Sequence, residues 1–132
     1  MPIRLHIDHD VPLAIADYLD TLRDNGAPKY AIETATSLGM TTASDHEHLL
    51  AAARYARVLI TRNWRDYYLL HGAWVGWSVA LGMERSHAGI LVLSHHASVL
   101  QASRALDAFL SNGNPSANEL HYYHPRQLWR KY

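Results

Sequence analysis

Two short runs of apolar residues, "RVLIT" at 57–61 and "AGILVLS" at 88–94, constrain this chain more than any other feature. Each is too short for an ordinary helix, and neither alternates apolar with polar residues, so neither suits a strand with one wet face. Runs of this kind are strands buried on both sides, the mark of a parallel sheet covered by helices. The intervening segments agree. Arg65 to Leu81 predicts a long aromatic helix ended by Gly82, and residues 98–111 predict an amphipathic helix closed by Asn112-Gly113. "SDHEHLLAAARYA" opens with Ser44 and Glu47 at capping-box spacing and continues as an alanine-rich helix. Upstream, residues 3–8 alternate as a short strand, and Pro12 to Asp24 predicts a helix stopped by Asn25-Gly26. Lys29 to Glu33 reads as a weak second strand, and "ELHYYH" at 119–124 as a final one. The β-α-β-α-β-α-β-α-β order predicts an α/β fold in three layers, α/β/α, around a mostly parallel five-stranded sheet with right-handed crossovers.

The 132 residues fit one domain, 1–132, with no repeat or linker. Lysines and arginines (12) balance aspartates and glutamates (12), so a globally basic nucleic-acid binder is not indicated. No apolar run approaches the roughly 20 residues a membrane span needs, and "MPIRLHIDHD" lacks the apolar core of a signal peptide. The absence of cysteine excludes disulfides and thiolate metal sites, and the cytoplasm is the expected compartment.

In open parallel sheets, ligands gather outside the carboxyl ends of the strands. Asp8 and Asp10 follow the first strand, Asp45 opens the helix after the second, and Asn63 and Asp66 follow the third. Three segments therefore deliver acids or an amide to one rim. Clustered carboxylates raise one another's pKa, which is costly without a cation. Hard oxygen donors suit Mg²⁺ or Mn²⁺. Taken singly, each acid has a plainer use: Asp10 and Asp66 as helix caps, Asp45 as a complement to the helix dipole. Their convergence on one edge points to a shared site.

The elements "IDHDVP", "ASDHEHLLAAARYARVLITRNWRDY" and "HAGILVLS" resemble a small PIN-like family of unknown function, related to toxin ribonucleases of VapC type. The pattern in that group runs strand–Asp-x-Asp/Asn–Val-Pro, then Ser-Asp-x-Glu, then a Val-Leu-x-Thr strand followed by Asn or Asp and Asp-Phe. The likeness covers about residues 3 to 95. It implies a five-stranded parallel sheet and a divalent-metal endoribonuclease acting on RNA. By position the metal-binding and catalytic acids would be Asp8, Asp45 and Asp66, with Asp10 and Asn63 as supporting ligands and Thr61 orienting a ligand or water. It also implies self-pairing as a homodimer and pairing with an antitoxin protein. Three positions depart from the pattern: His9 stands where an acid is frequent, Asn63 where stronger nucleases carry aspartate, and Tyr67 where Phe is usual. The first two losses of charge should weaken metal affinity, so a catalytically silent PIN-like binding module is the rival expectation.

Arg54, Arg57, Arg62 and Arg65 form a basic stretch, and Arg62 and Arg65 flank Asn63, where they could hold an RNA backbone. Trp64, between them, suits packing better than base stacking. Of the ten histidines, His9 is the one placed to ligate metal or hold a phosphate. His46 and His48 are two apart on a helix and do not face the same side. Without HExxH or similar spacing, a dedicated zinc site is not expected. Tyr67, Leu70, Trp74, Trp77 and Leu81 lie at helical spacing and exceed the needs of one core face, leaving Trp74 or Trp77 for a dimer or partner. A receiver-type signalling domain would need an aspartate ending the third strand, where Thr61-Arg62-Asn63 stands.

Overall fold

The strands form where the apolar runs stand, and the sheet is one strand wider than expected. In the computed structural model, which describes residues 1–82, 85–113 and 117–132, the two anchoring runs become β5 (Val58–Thr61) and β6 (Ile90–Leu93), every residue buried. Around them lie β1 (Ile3–Ile7), β4 (Tyr30–Thr34) and β7 (Leu120–His124). With β8 (Leu128–Lys131) at one edge, the sheet order is β4-β1-β5-β6-β7-β8, parallel at every pairing except the last.

The sixth strand, β8 (Leu128–Lys131), corrects the expected count of five. It folds back antiparallel on β7, with His124 opposite Leu128 and His121 opposite Lys131. Arg130 and Lys131 are exposed, and Trp129 packs against the core. A short, charged outer strand of this kind discourages edge-to-edge association. Its one inward anchor leaves too little alternation for a strand to be read from sequence.

The segment after the first strand differs too. Helix α1 (Leu13–Asp20) ends before Asp24, and Arg23–Asp24 (β2) pairs with Ala27–Pro28 (β3) in a two-stranded hairpin. Asn25 and Gly26 both have positive φ, 52° and 82°, the backbone of a two-residue hairpin turn of type I′. Asn-Gly here reverses a hairpin and does not stop a helix.

Three further helices complete the fold: α2 (Asp45–Arg54), α3 (Trp64–Ala80) and α4 (Val99–Ser111). α2 starts on the expected capping box, with the Ser44 backbone N–H donating to Glu47, and α4 on a second one formed by Ser98 and Gln101. On one sheet face Leu5, Ile7, Ile60 and Leu91 pack against Ile15 and Leu19 of α1 and Leu106 and Leu110 of α4. On the other, Leu59, Ile90 and Val92 meet Leu49 of α2 and Tyr67 of α3. Each such Leu or Ile contributes roughly 1.5–3 kcal/mol by leaving water. The result is a mostly parallel α/β fold with helices on both faces. No helix among the described residues is long and apolar enough to cross a membrane.

Counting only the five long parallel strands in chain order, the sheet reads 2-1-3-4-5. The chain leaves β1 toward β4 on one side and returns to β5 on the other, so a crevice opens between the carboxyl ends of β1 and β5. Doubly wound sheets bind ligands at such a switch point.

Candidate metal centre

Asp8 is the first residue beyond β1, and its backbone N–H donates to the Ile60 carbonyl of β5 at 2.9 Å, extending the parallel ladder by one step. That pairing fixes the carboxylate at the switch point, where the residue is 2% exposed. Both oxygens are used. Oδ2 accepts from the Thr61 hydroxyl at 2.9 Å, and Oδ1 accepts from the His9 backbone N–H at 2.8 Å and lies 2.9 Å from His9 Nδ1. Thr61, buried at the end of β5, is thus the orienting residue beneath the rim.

Asp10 does not cap α1. The N-cap of that helix is Pro12, with no side-chain hydrogen bond, and Asp10 instead accepts from the Arg62 backbone N–H at 3.2 Å and lies 3.3 Å from Thr61 Oγ1. Burial and the neighbouring charge of Asp8 hold its carboxyl above the usual range. Asp66 does not cap α3 either: Asn63 holds the N-cap position and makes no capping bond with its side chain. The Asn63 amide turns the other way and donates to Asp45 Oδ2 at 2.8 Å and to Asp66 Oδ2 at 2.9 Å. One amide therefore clamps two carboxylates from different helices.

The four acids feel one another. The Asp45 carboxyl is raised to about 6, first by burial, then by a hydrogen bond with Asp66 and by the charges of Asp8, Asp66 and Asp10. Tyr67, fully buried on the first turn of α3, faces the same group; burial and then the charges of Asp8 and Asp45 push its phenol far upward. Its hydroxyl reaches hydrogen-bond geometry with none of them. The structure therefore brings together Asp8, Asp10, Asp45, Asp66, Thr61, Asn63 and His9. Among the described residues, the group whose donor atoms stand close enough to share one metal ion is Asp8, His9 and His48.

The basic stretch divides. Arg62 lies at the rim, its guanidinium donating to the His95 carbonyl at 3.3 Å, and Arg65 is exposed on the first turn of α3. Arg54 and Arg57 stand at the far end of α2 and the start of β5, over the Tyr55 ring at 5.5 and 4.8 Å, so they belong to the opposite edge of the sheet. Trp64 packs against Tyr122 and Tyr132, with ring centroids 4.9 and 4.6 Å away, which leaves it a packing role. Trp74 is half-buried against the α2–α3 core, with its indole N–H on the Arg85 carbonyl, whereas Trp77 and Leu81 are exposed.

Two residues were not legible as site residues. His6, in the middle of β1, is fully buried and points away from Leu5 and Ile7 toward α2, where its Nε2 lies 2.9 Å from His48 Nδ1. Burial, then the neighbouring His48, lowers the His6 imidazole to about 4. His48 is also fully buried, and its other nitrogen lies 3.5 Å from Asp8 Oδ1. The sequence offered only the opposed facing of His46 and His48, and His46 is indeed exposed. Against protein-family models, curated proteins and solved structures, the chain finds no match.

Proposed function

We propose that this chain is a PIN-like, divalent-metal-dependent endoribonuclease, with Asp8, Asp45 and Asp66 as the catalytic acids and Asp10 as a further ligand. The observation that carries the reading is the convergence of four carboxylates from three chain segments at the switch point, one of them raised to about 6 by burial, by a hydrogen bond with Asp66 and by its neighbours' charges. Mg²⁺ or Mn²⁺ bound there would act as a Lewis acid on a phosphodiester and on the attacking water. The chain's own residues do the rest. Thr61 and the β1–β5 ladder hold Asp8 rigid, and Asn63 keeps Asp45 and Asp66 side by side. One carboxylate of the group would take the proton of the attacking water as one P–O bond forms and another breaks. Arg62 and Arg65 would hold the RNA backbone beside the rim through its phosphates. A toxin role, with an antitoxin or a second copy covering exposed Trp77 and Leu81, belongs to the same reading.

A second reading, a catalytically silent PIN-like binding module, has one observation in its favour. Asn63 and His9 supply internal hydrogen-bond partners to three of the acids without any cation. Cleavage of a labelled single-stranded RNA, with Mn²⁺ and with chelator, separates the two. The nuclease reading expects cleavage only with Mn²⁺ and none by a folded Asp8→Asn variant. Equal rates in both proteins, or activity in chelator, would refute it, and inactivity throughout would favour the silent module.

A further inference from the structure

We propose that Asp8, His9 and His48 form a nitrogen-rich site for a borderline divalent cation of the zinc class, distinct in chemistry from the oxygen cluster with which it shares Asp8. One donor atom from each residue lies within 4.8 Å of the others. Asp8 Oδ1 is 2.9 Å from His9 Nδ1 and 3.5 Å from His48 Nε2. Donors bound at about 2.1 Å around one tetrahedral ion stand roughly 3.4 Å apart, so small side-chain rotations suffice to close on a cation.

The second observation is His48 Nε2 itself. This nitrogen is fully buried, aimed at Asp8, and without a hydrogen-bond partner. An unpaired buried polar atom is destabilising, and a bound cation would remove that cost. His48 is also set up as metal-binding histidines are: its far nitrogen is fixed by a hydrogen-bond partner, His6, at 2.9 Å. When His48 Nδ1–H donates to His6, the Nε2 lone pair faces the site. Thr61 holds the other carboxylate oxygen of Asp8 in the same way. The His9 side chain, 46% exposed, forms the open side, leaving access for the ion and room for water or a phosphate oxygen.

The donor set decides the class of ion. Mg²⁺ takes oxygen ligands almost exclusively, whereas two imidazoles and one carboxylate suit Zn²⁺, Co²⁺ or Ni²⁺. The His9 position that weakens the oxygen site thus supplies a nitrogen to this one. The inference does not need RNA cleavage to be true.

Co²⁺ is the probe, because its visible absorption reports nitrogen ligation and low coordination number. Metal-free protein titrated with Co²⁺ in excess Mg²⁺ should show stoichiometric binding with intense visible bands. His48→Gln and His9→Ala should each weaken that binding by more than the roughly 10- to 100-fold that loss of an outer-shell partner costs. His46→Ala, on the exposed face of the same helix, should leave it unchanged. If His48→Gln fails to fold, His9→Ala decides the matter, since that side chain is half exposed. Absence of Co²⁺ binding in wild type, or equal binding in wild type and His9→Ala, overturns the site. Binding lost in Asp45→Asn but kept in His9→Ala places the ion among the acids and overturns it as well. A protein that binds Co²⁺ as expected yet never cleaves RNA with Mn²⁺ refutes the nuclease reading and leaves this site intact.

Discussion

Replacing Asp45 by Asn should make the metal-free protein more stable at neutral pH and change little near pH 4. The Asp45 carboxyl is raised to about 6 in the folded chain, from an ordinary value near 3.8. A shift of that size corresponds to about 3 kcal/mol at most. Asp45 is partly exposed, so solvent screening reduces the real destabilisation to about 1–2 kcal/mol. Against this stands the loss of an acidic group from the first turn of α2, about 0.5 kcal/mol by the helix dipole. The Asn63 hydrogen bond survives, because the asparagine carbonyl can accept it. The net gain is about 1 kcal/mol, or roughly 3–4 °C in Tm for a chain of this length. The sign follows from linkage. A folded pKa above the unfolded one favours the folded state while the proton is bound, so the penalty is absent below about 4 and complete above about 6. Thermal unfolding with chelator at pH 7.5 and pH 4 should therefore show the Asn variant ahead at the higher pH and the gap largely closed at the lower. Mn²⁺ at pH 7.5 should reverse the order. A variant that melts lower at pH 7.5, or by the same margin at both pH values, would refute the crowding argument and favour the dipole role alone.

Thr61→Val keeps the shape of β5 but removes the donor to Asp8 Oδ2, and urea unfolding should show a loss of about 1–3 kcal/mol; no loss would mean the hydroxyl does not hold Asp8. His6 and His87 are both buried and lowered to about 4, so their contribution is complete above about 6.5 and is lost as pH falls toward 4. Asp45 acts the other way over part of that range, and the net loss between pH 7 and pH 5 should be about 2 kcal/mol by urea titration, with a flat profile as the contrary result. Arg62→Ala should weaken RNA binding and reduce the slope of log affinity against log salt by about one, whereas Arg54→Ala, at the opposite sheet edge, should do neither.

The fold was legible where one physical cause acted alone. Continuous apolar runs marked β5 and β6, and Ser44 with Glu47 marked the start of α2 at its observed cap. It was not legible where a signal served two purposes. Asn25-Gly26 ends a helix or turns a hairpin equally well, and only the positive φ of both residues decides for the hairpin. β8 carries one inward aromatic among exposed residues and depends on β7 for its register. The rule that ligands collect at strand ends anticipated the placing of Asp8 just beyond β1 and of Asp45 and Asp66 on the first turns of α2 and α3, at one rim. Capping was the plainer account of Asp10 taken singly, and it failed because Pro12 holds the N-cap of α1 and the acid turns to the Arg62 amide. His6 and His48 escaped because they are 42 positions apart, and spacing within a helix cannot report a partner on a neighbouring strand.

On the proposed reading, the carboxylates at the β1–β5 switch point hold an oxygen-liganded cation. Mg²⁺ titration calorimetry at pH 7.5 tests it most directly, because Mg²⁺ separates the acids from the imidazoles beside them. The wild-type chain should bind Mg²⁺ measurably, with binding lost in Asp8→Asn and Asp66→Asn and kept in His48→Gln. No Mg²⁺ binding at neutral pH, or binding indifferent to both aspartate substitutions, would contradict it.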